Sequence, residues 1–128
     1  KNNINTKFNI EIIKTEGDKE ISKNIKSYLN KHIDTSLKEK IKIELNSSYT
    51  KKGTSKDSEG KVTVYKISVT TFFKIIDDKE NKNITISRDL TFNRFEDIFE
   101  QKKYEDKIKR DISKLITDSF ITELIATK

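Results

Sequence analysis

Apolar residues recur along this chain with two different periods, and the switches between them mark out its elements. In FNIEII, Phe8, Ile10 and Ile12 fall two apart, which predicts a strand over about residues 8–14. The segment from Thr15 to Asp18 contains Gly17 and reads as a turn. Asp18 is placed to cap a helix, with Glu20 in the positively polarised first turn. Ile21, Ile25, Tyr28, Leu29 and Ile33 then fall at helical spacing and predict a helix over 19–33, broken by Asp34, Thr35 and Ser36. Ile41, Ile43 and Leu45 alternate with Lys42 and Glu44, a strand over 40–50 with one wet face. Residues 50–61, TKKGTSKDSEGK, hold no aliphatic or aromatic side chain and two glycines, the composition of a mobile hairpin loop.

The stretch VTVYKISVTTFFKII predicts a strand over 62–76, with Tyr65, Ile67, Val69, Phe73 and Ile75 on one face. Phe72 and Ile76 fall on the other face, so part of this strand is expected to be covered on both sides. DDKENK is a polar turn. A strand over 83–94 follows, its inward set Ile84, Ile86, Leu90 and Phe92 interrupted by Arg88. Period two then gives way to a helix over 101–126 carrying Ile108, Ile112, Leu115, Ile116, Phe120 and Leu124. The order β-α-β-β-β-α predicts an α+β fold, a four-stranded mixed sheet with two helices packed on one face. The first crossover makes strands one and two parallel, and the later strands form antiparallel hairpins.

With 128 residues and no linker or repeat, the chain is expected to be a single domain, 1–128, with residues 1–7 a flexible N-terminal tether. It opens KNNINTKFNI without an initiating Met, which we read as a start created by processing or trimming. No run of about 18 apolar residues exists to cross a membrane as a helix. Cysteine is absent, which removes disulfides and thiolate metal sites from this stretch. Net charge is +6, and 24 of the 27 basic residues are Lys. That balance points either to an anionic partner, such as nucleic acid, phospholipid or a phosphorylated glycolipid, or to the Lys/Asn/Ile bias of an AT-rich genome. Three Arg are few for a nucleic-acid reader.

Enzymatic chemistry finds little support. His32 is the lone histidine, beside the apolar stripe of the first helix, and reads as structural. Asp77 and Asp78 are adjacent carboxylates in a turn, too few oxygens for a hard cation. No Gly-rich phosphate loop is present, and no catalytic, cofactor or metal residue is expected. Three features remain. Lys51, Lys52, Lys56 and Lys61 cluster in the predicted hairpin loop and are candidates for a phosphorylated partner, diluted by Asp57 and Glu59. Arg88 lies on apolar parity and reads as a snorkelling side chain, as a bulge at Arg88–Asp89, or as a partner contact. Phe92, Phe95, Phe99 and Tyr104 read as core or as a hydrophobic staple at the helix entry.

The chain resembles the LptE family, the lipopolysaccharide-assembly lipoproteins of Gram-negative outer membranes, in a lysine-rich, alphaproteobacterial-like version. Three stretches carry the resemblance: FNIEIIKTEGDKEISKNIKSYL, KVTVYKISVTTFFKIIDDKENKNI and TFNRFEDIFEQKKYEDKIKRDISKLI. It covers about Phe8 to Leu124 and implies the same fold read above from periodicity. It also implies a non-enzymatic component of the outer-membrane lipopolysaccharide translocon. Such a protein plugs and helps assemble the LptD barrel and delivers lipopolysaccharide to the outer leaflet. The partners implied are LptD, lipopolysaccharide and the membrane, with no nucleic acid and no cofactor. The implied location is the periplasmic side of the outer membrane. With no cysteine in this chain, the lipid anchor is expected upstream of Lys1. The alternative is a small basic α/β nucleic-acid-binding module in which Tyr65 and Phe73 stack on bases.

Overall fold

A computed structural model describes residues 6–77 and 81–126 of the chain. Its elements are β1 (Asn9–Gly17), α1 (Lys19–Leu29), β2 (Lys40–Lys56), β3 (Val62–Ile76), β4 (Lys82–Asn93) and α2 (Ile98–Ala126). The strands form one sheet in the order β1-β2-β3-β4, with β1 parallel to β2 and both later pairs antiparallel. This is the predicted α+β arrangement. The turn predicted over 77–82 and the tether over 1–7 fall partly on residues 78–80 and 1–5, outside the described residues.

One core lies between the sheet and the helices. Ile21, Ile25 and Leu29 of α1 are wholly buried, as are Ile116, Phe120 and Ile121 of α2. They meet Ile43, Leu45, Ile67, Val69 and Phe73 from the two central strands. Each such side chain contributes about 1.5–3 kcal/mol of burial. Phe73 and Phe120 stack with ring centroids 4.0 Å apart, fastening α2 to the middle of the sheet. Polar groups this deep are satisfied internally: Ser47 and Thr71 share a hydroxyl–hydroxyl contact of 3.0 Å, and the Thr117 hydroxyl donates to the Ser113 carbonyl at 2.8 Å.

Several boundaries differ from the sequence expectation, each for a tertiary reason. β1 runs on to Gly17, because parallel pairing with β2 continues as far as Gly17 opposite Ser47. There the chain turns directly into α1 at φ +87°, and an added Cβ would sit 1.9 Å from the Ser47 carbonyl oxygen. Only glycine fits. Asp18 caps α1 as expected, accepting the Ile21 N–H at 2.9 Å. The α-helix stops at Leu29 rather than at 33 and is followed by a 3₁₀ turn over Asn30–His32. Phe8 and Ile33 then pair as an isolated parallel bridge, with Phe8 N–H donating to the His32 carbonyl at 2.7 Å. That pairing draws Ile33 out of the helix.

β2 continues through Lys56, so Lys51–Lys56 are strand and not loop. α2 starts at Ile98, one turn before the predicted 101, because Asp97 caps it: Asp97 Oδ1 accepts the Phe99 N–H at 2.8 Å. Three apolar side chains expected inside are outside. Phe72 is 51% exposed, which leaves that face of β3 uncovered, Leu115 is 51% exposed, and Phe99 is 76% exposed. β4 pairs with β3 in unbroken register from Asn93 to Lys82, so no bulge exists at Arg88–Asp89.

Candidate interface at the hairpin end

The β2–β3 hairpin is long, and its register is held by local chemistry as well as by pairing. At its tip the Asp57 carboxylate accepts the backbone N–H groups of Glu59 and Lys61, both at 2.9 Å, and Gly60 takes φ +85°. Irregular register around Ser55 lets the strands coil. Gly53 lies close beneath this crossing, where a Cβ would come within 2.8 Å of a Val62 methyl and force that side chain to shift.

A polar network ties the hairpin root to the start of α2. Lys51 Nζ lies 2.8 Å from Glu105 Oε2 and 4.4 Å over the Tyr65 ring. Glu105 also accepts from Gln101 Nε2 at 3.1 Å, and Gln101 Oε1 accepts the Phe95 N–H at 2.9 Å. Arg94 donates its backbone N–H to the Thr63 carbonyl at 2.8 Å and its guanidinium to the Val62 carbonyl at 3.1 Å. Beside this network Phe92 packs edge-on against Tyr104 at 5.3 Å, with Tyr65 at 5.6 Å and Phe95 at 6.3 Å. Phe92, Phe95 and Tyr104 therefore form the expected staple, and Phe99 is not part of it.

What this end presents outward is mixed. Ile98 and Phe99 stand 73% and 76% exposed at the first turn of α2. An open groove of about 400 Å³ runs beside Ile98, lined also by Lys61, Tyr65, Arg94 and Phe95. Glu96 lines the same groove, opposite in sign to Lys61 and Arg94. Two large apolar side chains thus stand next to a mixed-charge groove, a surface suited to a partner with apolar and polar components.

The structure divides the predicted lysine cluster, leaving Lys56 and Lys61 on either side of the tip turn and sending Lys51 and Lys52 to opposite faces. Lys51 faces α2 and is neutralised by Glu105. Lys52 points to the opposite face of the sheet, across from Lys66, which pairs with Asp89 at 3.6 Å. Lys56 ends β2, and Lys61 lines the groove. Arg88 lies elsewhere, in mid-strand opposite Val69, and donates to the Ser119 hydroxyl and the Ser87 carbonyl, both at 2.8 Å. It snorkels along the β4 edge toward α2 and is not brought near the lysines. His32 is half-buried with Nδ1 3.2 Å from the Thr6 carbonyl oxygen, a structural contact. Phe73, a proposed base-stacking residue, is wholly buried beneath Phe120 and has no face to offer. Gln101, Glu105 and Arg94 were not singled out by periodicity. The Gln101–Glu105 spacing of four was the only local signal, and it is lost among the many charges of that helix.

No protein-family model matches the chain, and neither does any curated protein. Solved structures do resemble it. Rare lipoprotein B from Shewanella oneidensis matches 91% of this chain and 98% of its own at 13% identity, with a TM-score of 0.64. Lipoprotein B from Nitrosomonas europaea gives a TM-score of 0.55 at 12% identity, covering 94% of this chain and 88% of its own. A minor lipoprotein from Acinetobacter baumannii gives 0.51 at 19% identity, covering 86% and 93%. At these identities the likeness is one of fold. Among the described residues no helix is long and apolar enough to cross a membrane.

Proposed function

We propose that this domain is an outer-membrane lipoprotein of the lipopolysaccharide translocon, acting without catalysis as the plug and assembly factor of an LptD-type barrel. The observation that carries the reading is the fold, shared over 98% of a lipoprotein B chain, together with the sequence resemblance that runs from Phe8 to Leu124. Anchoring through an acylated cysteine upstream of Lys1, and contact with lipopolysaccharide, belong to the same proposal. The hairpin end is the contact surface within it. A rigid hairpin suits insertion into a barrel lumen better than a loose loop, because less conformational entropy is lost on binding.

The test is capture of the barrel from detergent-solubilised outer membranes by the tagged full-length protein. The wild type is expected to retain the LptD-type barrel. Ile98→Ser with Phe99→Asp should lower retention at least about tenfold, the effect of losing one anchor of about 1.4 kcal/mol or more. The thermal midpoint should stay unchanged, because both side chains are exposed. Absence of the barrel from the wild-type eluate would overturn the function. Full retention by the double variant would overturn the assigned surface.

A further inference from the structure

We propose that the groove between the end of β1 and α1 is an anion site that takes a compact phosphate-bearing group. This goes beyond the barrel reading and stands independently of it, since it rests on α1 and not on the hairpin end. Lys19, Lys23 and Lys26 line the opening, about 620 Å³, beside Thr15, Glu16 and Ser22. Positions i, i+4 and i+7 put the three lysines on one helix face, within about 10 Å along the axis.

Their electrostatic setting differs from that of the other helix. On α2, Lys102, Lys107 and Lys114 each reach a carboxylate one turn on, at 2.8, 2.7 and 3.3 Å. Lys51 and Lys109 are taken by Glu105 and Glu20. Lys19, Lys23 and Lys26 are in no ion pair among the described residues, and the carboxylates near them are already engaged. Glu16 pairs with Lys14 at 3.6 Å, Glu20 with Lys109 at 3.0 Å, and Asp18 accepts the Ile21 N–H at 2.9 Å. Three ammonium groups thus line one wall of a concave opening against a single lining carboxylate, Glu16, which is itself shared with Lys14. The arrangement leaves net positive potential there.

The class of ligand follows from what else lines the groove. No aromatic side chain does, so a single-stranded nucleic acid would find no platform on which to stack its bases. Lysines are point donors suited to phosphate oxygens, and the span of two helical turns matches one headgroup or diphosphate better than a polymer. The floor is fixed by Gly17 and by the Asp18 N–H bond to the Ser47 carbonyl, 2.8 Å, and α1 fixes the spacing of the three lysine backbones above it.

The experiment follows backbone amide NMR shifts of the labelled domain with two probes at matched ionic strength. These are inorganic pyrophosphate and phosphatidylcholine vesicles carrying phosphatidic acid. Shifts are expected at Gly17, Lys19, Ser22 and Lys23. Replacing Lys19, Lys23 and Lys26 together by Gln should weaken binding on the order of 100-fold, about fivefold per lysine at an anionic surface. The same change of charge at Lys102, Lys107 and Lys114 should weaken it less than about threefold. Tighter binding to vesicles than to pyrophosphate assigns the phosphate to a lipid headgroup, and the reverse assigns it to a soluble ligand; either supports the site. Equal losses in the two triple variants overturn it, as do wild-type shifts centred on the hairpin end. Tighter binding of oligothymidylate than of either probe also overturns it, in favour of a nucleic-acid surface.

Discussion

Tyr49 shows how a single side chain in this protein serves two demands. Its ring packs against the core, and Lys109 Nζ lies 4.4 Å above it while also pairing with Glu20 at 3.0 Å. Its hydroxyl is buried and has no protein partner among the described residues. Burial first, and the Glu105 carboxylate second, push its pKa from 10.0 up to about 12. A folded-state pKa above the unfolded value means that the unfolded chain gives up the proton first on raising the pH. The stability linked to this group is therefore whole below pH 10 and is lost as pH rises through about 12. Tyr49→Phe should leave stability at neutral pH unchanged or raise it by up to ~1 kcal/mol, because a hydroxyl without a partner contributes nothing favourable. It should also flatten the alkaline fall in thermal midpoint. Urea unfolding at neutral pH and a thermal series across the alkaline range check both. A loss above ~1 kcal/mol at neutral pH would show that the hydroxyl holds a bond the fold depends on.

Among the elements, the helix starts teach most. Asp18 before Lys19 was legible, since a glycine turn and an apolar stripe frame it. Asp97 was not, because FEDIFE offers acids on both sides and the two apolar residues that follow it, Ile98 and Phe99, point into solvent. Its carboxylate nonetheless accepts the N–H groups of Phe99 and Glu100, at 2.8 and 3.4 Å. Asp97→Ala should cost about 1 kcal/mol of unfolding free energy, read from the urea midpoint at unchanged slope. Faster amide exchange confined to the first turn of α2 should accompany it. If exchange rises along the whole helix, the cap is setting its docking and not only its start. The hairpin carries a similar lesson. No apolar alternation survives in KKGTSK, residues 51–56, yet the stretch pairs because Val62–Ile67 of β3 offers it a ready template. A strand can be imposed by its neighbour, and a period search sees only the strand's own residues.

At the scale of the whole molecule, one stacked ring pair marks the middle of the core that joins the two layers. Phe73 and Phe120 lie nearly parallel, 9° apart, and both are wholly buried. Phe120→Ala should cost about 3–5 kcal/mol. Domains of this kind have about 5–15 kcal/mol in total. The variant should therefore unfold at a clearly lower urea concentration, and the Phe73→Ala/Phe120→Ala cycle should show about 1 kcal/mol of coupling. Additive losses would mean that the rings fill space independently. Charge is also divided at this scale. Basic residues outnumber acidic ones 16 to 9 over residues 1–76, and fall behind 11 to 12 over 77–128. The +6 balance thus belongs to the sheet and α1, while α2 balances its own lysines with carboxylates a turn away.

The element order and fold class, the capped start of α1 and the uneven charge were all determined by the sequence alone. Each is a property of neighbours within a few positions: alternation, helical spacing, a cap before a stripe, a count. What the tertiary structure decided depends on residues far apart in the chain. It set Lys51 on Glu105 and Lys109 on Glu20, and so divided neutralised lysines from free ones. It drew β2 out along β3 to Lys56, turned Phe72 and Phe99 to solvent, and left Lys19, Lys23 and Lys26 around an open groove. Periodicity says which side of an element is apolar. Only the packing of one element against another says how much of that side is covered, and which charges meet when it is.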